Sequence, residues 1–147
     1  MKVVAVTDDQ GNLQESIWLE RAETVHRQLR PQLPPDYARR LHEVFAGGGR
    51  MAVVVEGDCV ASVAIWRIIE NTYEGRRLYV DDLVSDEGKR SCGAGKLLLG
   101  WLKSKAKSFD CDVLALDSGV QRYRAHRFYF REGLHVSSFS FKKVLNK

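Results

Sequence analysis

The sequence predicts an α/β fold, a single mixed, twisted sheet with helices packed on its faces. Three observations carry that expectation. Two segments near the N-terminus repeat apolar residues at helical spacing. Three strand-like apolar runs then follow one another, with hairpin signals between them. The third run leads through a glycine-rich turn into an amphipathic helix and a further strand, the order of a β-α-β crossover. With 147 residues, 44% of them hydrophobic, the chain can bury one good core, and one domain over 1–147 is expected.

Each element has its own signal. A short strand is expected at 3–6, ended by the turn-forming run Asp8-Asp9-Gln10-Gly11-Asn12. The first helix covers 14–29, with Trp18, Ala22, Val25 and Leu29 on one stripe, and Pro31, Pro34 and Pro35 close it. A second helix starts at Asp36, buries Tyr37, Leu41, Val44 and Phe45, and stops at Gly47-Gly48-Gly49. Strands follow at 51–56, 60–70 and 77–85, with Gly57-Asp58 as a hairpin turn and 71–75 as the next turn. A helix over 93–108 turns Leu97, Leu98, Trp101, Leu102 and Ala106 inward. The strand at 113–117 is parallel to the one before the helix if the connection is a right-handed crossover. A short helix at 122–132 and a last strand at 134–145, where Phe139 and Phe141 alternate with polar residues, complete the chain.

The segment from Asp82 to Lys96 carries the chemistry. Two glycines, Gly93 and Gly95, open a helix directly after a strand and a turn, with Arg90 and Lys96 beside them. Glycine lets a backbone approach a ligand closely, and a helix N-terminus adds unpaired N–H groups and a positive dipole end. Together these make an anion site suited to phosphate. The Walker spacing fails: Ala94 stands where its lysine belongs after Gly88 and Gly93, and Leu97 replaces the Ser/Thr that should follow Gly95-Lys96. The Gly-x-Gly-x-x-Gly dinucleotide pattern fails too, because Gly93-Ala94-Gly95 continues as Lys-Leu-Leu.

What remains is Arg-x-x-Gly-x-Gly at Arg90, Gly93 and Gly95, followed downstream by Ala125-His-Arg-Phe128-Tyr129-Phe-Arg-Glu-Gly133-Leu134. The pair resembles, in order, the two signatures of the GCN5-related N-acetyltransferases, with leucine in the last place of the second. The likeness runs from about Arg50 to the end; the N-terminal third matches only in its pattern of helices. The resemblance implies a central mixed sheet of about six to seven strands flanked by about four helices, with two strands splayed apart at the cofactor site. It implies acetyl-CoA as acyl donor, its pyrophosphate held by Arg90, Ser91, Cys92, Gly93, Ala94, Gly95 and Lys96. The backbone of Leu83, Val84 and Ser85 would meet the pantetheine amides and the acetyl carbonyl, with an N–H near Val84 as oxyanion donor. Arg122 stands where many members carry an asparagine against the cofactor, and Asp117, Ser118 and Gln121 would line the same region.

Tyr129 resembles the family's tyrosine acid, which protonates the departing CoA thiolate. Asp81 and Asp82 are candidates for the base that takes the amine proton, with Tyr79 a further one. Neighbours in a strand point to opposite faces, so at most one aspartate is expected to face substrate. Acceptors implied are a primary amine of a small molecule or a protein, and the acidic pair leans toward a cationic amine. Specificity would come from the first two helices, where Trp18, Glu20, Arg21, His26 and Arg30 read as surface residues, and from a pocket wall at Trp66 and Arg67. A module that binds acyl-CoA without turning it over is the alternative, opposed by Tyr129 and the complete glycine loop. Many members dimerise through their final strands, which exposed Phe139 or Phe141 would permit.

Composition excludes several other classes. The net charge of +4 sits on helical faces, Lys96, Lys103 and Lys107 on one and Arg124, Arg127 and Arg131 on another, with no aromatic platform between them. That argues against nucleic acid and suits CoA, which carries about four negative charges. Cys59, Cys92 and Cys111 are odd in number and lack metal spacing; Cys59 and Cys111 read as packing residues and Cys92 as part of the loop. His26, His42, His126 and His135 are scattered, so no metal is expected. No apolar run approaches the roughly 18 residues of a membrane span, and the N-terminus lacks a signal-peptide pattern, so a cytoplasmic protein is expected.

Overall fold

Valine, isoleucine and alanine dominate the run from 50 to 69, and β-branched side chains suit a pleated, buried surface. In the computed structural model, which describes residues 1–90 and 92–146, that run forms two inner strands of a five-stranded sheet. In chain order the elements are β1 (Lys2–Ala5), α1 (Ser16–Leu29), α2 (Tyr37–Ala46), β2 (Arg50–Glu56), β3 (Cys59–Asn71), β4 (Gly75–Ser85), a 3-10 turn at Glu87–Lys89, α3 (Ala94–Ser108), β5 (Val113–Leu116) and α4 (Tyr123–Arg131). The strands lie in the order β1-β2-β3-β4-β5. All neighbours are antiparallel except β4 and β5, which run parallel with α3 between them in sequence. Met1–Leu116 forms one compact unit and Asp117–Lys147 another.

Strand alternation divides the core of the first unit into two layers. Met51, Val53, Val63, Ile65 and Val84 meet Leu19, Ala22 and Val25 of α1 and Tyr37, Leu41 and Phe45 of α2. Ala64, Trp66, Leu78 and Val80 point to the other face, where Trp66 packs edge-on to Trp101 of α3 at 6.1 Å. Asp36 caps α2, its carboxylate accepting from the Arg39 N–H at 3.2 Å.

Most elements match the sequence expectation to within a residue or two, and the differences have physical causes. Leu99 is fully buried while Leu97 is exposed, so the apolar stripe of α3 runs Leu98, Leu99, Leu102 and Ala106; Trp101 and Val44 are half-buried. Trp66 is core under α3 rather than a pocket wall. Cys59 is exposed beside the hairpin turn at Gly57, and Cys111 is half-buried, so neither is a core residue. The strand expected at 134–145 does not form, leaving five strands rather than six or seven among the described residues. Alternation names the face a strand would bury, but a strand exists only where a ladder partner takes its backbone groups. Phe139 and Phe141 stay exposed there.

Candidate active site

The sheet changes character halfway along β4. Its pairing with β5 covers Arg77 to Val80, opposite Val113 to Leu116, and then stops. Pairing with β3 continues to Ser85. From 81 to 85, β4 is therefore a strand with one edge in the sheet and the other, among the described residues, without a strand partner. The change coincides with a β-bulge: Ile65 of β3 faces Asp82 and Trp66 faces Val80, leaving Asp81 as the extra residue. Beyond it, the Val84 carbonyl accepts from Ser62 Oγ at 2.8 Å and the Asp86 N–H donates to the Ala61 carbonyl at 2.9 Å. Both directions point into the β3 ladder. By the alternation of an antiparallel pair, the backbone groups of Leu83 and Ser85 turn to the open edge instead.

The bulge also overturns the expectation that Asp81 and Asp82 point to opposite faces. An extra residue breaks the two-residue period, and both carboxylates project on the α1/α2 side. Asp81 is gripped by Arg67, whose Nε lies 3.0 Å from each carboxylate oxygen and whose Nη1 reaches the Gly47 carbonyl at the end of α2. Asp82 is gripped from α1: Arg30 Nε donates to Oδ1 at 2.8 Å and His26 Nε2 lies 2.7 Å from Oδ2. Arg30 Nη2 also donates to the Asp81 carbonyl at 3.1 Å, tying the bulge backbone to the helix. Behind them, His26 Nδ1 meets the Tyr37 hydroxyl of α2 at 2.8 Å. Burial alone would raise the Asp82 carboxyl, but the His26 hydrogen bond and charge, with Arg30, outweigh it and hold the group below its ordinary value. Burial, with Glu23 and Asp82 nearby, pushes the Tyr37 hydroxyl well above its usual value despite Arg27, so it stays an O–H. Each carboxylate thus has a cationic partner, and the acidic pair is not a bare negative patch for a cationic amine.

This clamp is what the sequence reading missed. His26 is 1% exposed rather than a surface residue. Its signal was available: it falls beside Ala22 and Val25 on the buried stripe of α1, and a polar ring there needs a partner. Which partner it finds, 56 positions away, only the fold decides.

The loop after β4 is braced by α1 as well. Asp86 Oδ1 accepts from Gln28 Nε2 at 3.0 Å, and Gln28 Oε1 accepts from the Glu87 N–H at 3.0 Å. Arg90, Cys92 and Lys96 are exposed; Ser91 lies outside the described residues. Gly93 is the N-cap of α3 at φ +89°, with open space where a Cβ would stand. A helix that starts on glycine has no capping side chain, so its first N–H groups and dipole end remain available to an anion. Ala94 is buried and Gly95 half-buried beneath this rim.

In the second unit, Arg122 is the N-cap of α4, and its positive charge acts on the Tyr129 hydroxyl two turns along. Phe128 lies at 5.7 Å ring to ring from Tyr129. Burial raises the Tyr129 hydroxyl above its ordinary value, partly offset by Arg122, so the phenol is a protonated donor near neutrality. Asp117 and Gln121 are exposed, and Ser118 Oγ is buried without a hydrogen-bond partner. Gly133 takes φ +89°, which ends α4 in the left-handed conformation glycine favours. Among the described residues, no three His, Cys, Asp or Glu side chains gather as metal ligands, and no helix is long and apolar enough to cross a membrane.

Residues 13–134 match the Acetyltransferase (GNAT) family. An uncharacterized N-acetyltransferase, YhdJ, of Bacillus subtilis (strain 168) is 38% identical over 72 residues, which are 48% of this chain and 51% of that protein. The aminoalkylphosphonate N-acetyltransferase of Salmonella typhimurium (strain LT2) is 35% identical over 66 residues, 45% of this chain and 43% of that one. The chain thus spans about half the length of these two relatives. Among solved structures, an aminoglycoside N-acetyltransferase in complex with CoA superimposes with a TM-score of 0.82 at 13% identity, covering 99% of this chain and 95% of that one. At that identity the likeness speaks for the fold.

Proposed function

From the premise that the chain belongs to the Acetyltransferase (GNAT) family, we propose that it moves an acetyl group from acetyl-CoA to a primary amine. The observation that carries this is the open edge of β4 from 81 to 85, running into the Gly93 rim of α3. The edge offers peptide groups to the pantetheine amides, and the rim offers N–H groups and the charges of Arg90 and Lys96 to the pyrophosphate. Leu83 and Ser85 supply the edge contacts, with a backbone N–H at the bulge meeting the oxyanion; the inward-turned carbonyl of Val84 and its buried side chain hold that stretch in place. Of the remaining positions, Cys92 contributes backbone from the loop, and Arg122, at the start of α4, acts through its charge on Tyr129.

In the reaction, the neutral amine attacks the thioester carbon, a C–N bond forms, and the C–S bond breaks. The nitrogen must shed a proton and the thiolate must gain one. Asp82 takes the first. Its low basicity is no obstacle, because the nitrogen becomes strongly acidic once it bears the acyl carbon. Asp81, chelated by Arg67, holds the bulge rather than the amine. Tyr129 gives the second proton, a phenol with a reference value near 10 facing a thiolate near 8.5. The name of the Salmonella relative supports a small amine ahead of a protein side chain as acceptor. The two units act as one domain in this reading, supported by a family match that runs through both.

The test follows free thiol release from acetyl-CoA with a panel of small amines and lysine peptides. Amine-dependent release is expected. No release with any amine, beside CoA binding measured by calorimetry, would replace the enzyme with a non-catalytic acyl-CoA sensor.

A further inference from the structure

The arginines on the α1/α2 side of β3 and β4 are not equally matched. Arg67 holds Asp81 through both carboxylate oxygens at 3.0 Å, and Arg30 reaches over from α1 to Asp82 at 2.8 Å. Arg77 follows on the same face, because strand alternation carries it there two residues before Tyr79, opposite Ile69 of β3. Its counterion is weaker. A single N–H, on Nη1, reaches Glu74 Oε1 at 3.3 Å, and Nε is buried with no acceptor among the described residues. Aromatic rings do the rest of the holding: the guanidinium carbon lies 4.9 Å from the Tyr79 ring centre and 5.9 Å from that of Tyr73. Asn71 sets this frame. Its Oδ1 accepts from the Tyr73 N–H at 3.3 Å and the Glu74 N–H at 2.8 Å, fixing the turn that carries both. The Arg77 side chain keeps 20% of its surface open to solvent. A planar cation held between rings, with most of its N–H groups unclaimed, is preset for an oxyanion.

The sheet relates this arginine to the reacting centre. Asp82 and Arg77 stand opposite Ile65 and Ile69, four residues apart on β3 and so about 13 Å from each other. On one side of Asp82 the face is closed: Val84, the next residue on it, is buried in the core beneath α1 and α2. On the other side α2 has ended, its Gly47 carbonyl accepting from Arg67 Nη1 at 3.2 Å, and Arg67, Tyr79 and Arg77 are half-buried. Within the first unit, an amine over Asp82 has room for its remainder along β4 toward Arg77 and none toward Val84. Resting on the reading that Asp82 takes the proton of a small amine, we propose that Arg77 is an acceptor-binding residue. It pairs with a carboxylate- or phosphate-type group at the far end of that amine. The acceptor anion displaces Glu74 and takes two parallel hydrogen bonds from Nη1 and Nη2. The spacing selects an extended ω-amino acid or ω-amino phosphate. It rejects an α-amino acid reacting at its α-amine, whose carboxylate lies one carbon away.

The experiment measures kcat/KM with acetyl-CoA for homologous series of straight ω-amino carboxylates and ω-amino phosphates, each against the uncharged alkylamine of the same length. Wild type, Arg77→Met, Glu74→Gln and Asp82→Asn are compared. In wild type the anion should raise kcat/KM by about tenfold in the long members of at least one series and not in the shortest, and that series names the anion. Arg77→Met should bring the ratio close to one, and Glu74→Gln, which removes the competing carboxylate, should lower KM for the anionic amine. If Arg77→Met does not fold, the wild-type ratio and Glu74→Gln decide the matter. No preference for an anion at any length, a preference that survives Arg77→Met, or an unchanged or higher KM in Glu74→Gln overturns the proposal while acetyl transfer stands. Full turnover in Asp82→Asn, or no thiol release from wild type with any amine, overturns the underlying reading instead.

Discussion

Replacing Asp82 with alanine removes the shared acceptor of His26 and Arg30, and the structure sets the scale of the loss. The Asp82 side chain is 13% exposed and makes two charge-assisted contacts, at 2.7 Å and 2.8 Å. Deleting one partner of a buried ion pair costs about 3–5 kcal/mol, part of it from the N–H left unsatisfied on His26. Arg30 is 40% exposed and regains water, which moves the expectation to the low end, about 3 kcal/mol. For a chain of this length that corresponds to a fall in Tm of about 9 °C. Urea unfolding at pH 7 measures the difference directly. The pH dependence supplies a second check with a definite sign. The carboxyl is held below its ordinary value in the fold, so the unfolded chain binds the proton more tightly. The stabilisation is complete above the ordinary carboxylate value of about 4 and is lost as pH falls through the lower folded value. The gap between wild type and Asp82→Ala should therefore narrow below about pH 4. A gap under about 1 kcal/mol at pH 7, or one that does not narrow on acidification, would refute the clamp as described.

Three further outcomes are expected. Tyr129→Phe should cut kcat by about 10-fold or more with KM for acetyl-CoA nearly unchanged, read as thiol release; full turnover would remove Tyr129 as the acid. Gly93→Ala meets no steric obstacle but forces alanine to φ +89°, so a loss of about 1 kcal/mol in unfolding free energy is expected, with weaker CoA binding by calorimetry. Leu102→Ala, at a fully buried position under the sheet, should cost about 2–5 kcal/mol by the same denaturation assay while leaving the KM for acetyl-CoA close to wild type.

Local chemistry was legible from the chain. The helical stripe of α1, the glycine stop after α2, the hairpin at Gly57 and the start of α3 at Gly93 each follow from a few neighbouring residues, and each is where the spacing puts it. The same holds for the glycine loop and the Phe128-Tyr129 motif, because short motifs are local by construction. The strand expected after Gly133 failed for the opposite reason: its alternation is local, but a ladder needs a partner edge that the sequence does not name.

The site divides along the same line. By itself the sequence determined the family resemblance, the order of elements, and the glycine opening of α3 with Arg90 and Lys96 beside it. Those depend on backbone preferences and on residues within one turn or strand of each other. Only the tertiary structure decided what Asp81 and Asp82 do. A single extra residue in β4 turns both carboxylates to one face, where Arg67, Arg30 and His26 arrive from β3 and α1 to neutralise them. A bulge is a mismatch between two strands, and a hydrogen bond across 56 positions is a contact between two elements. Neither exists until the elements have packed.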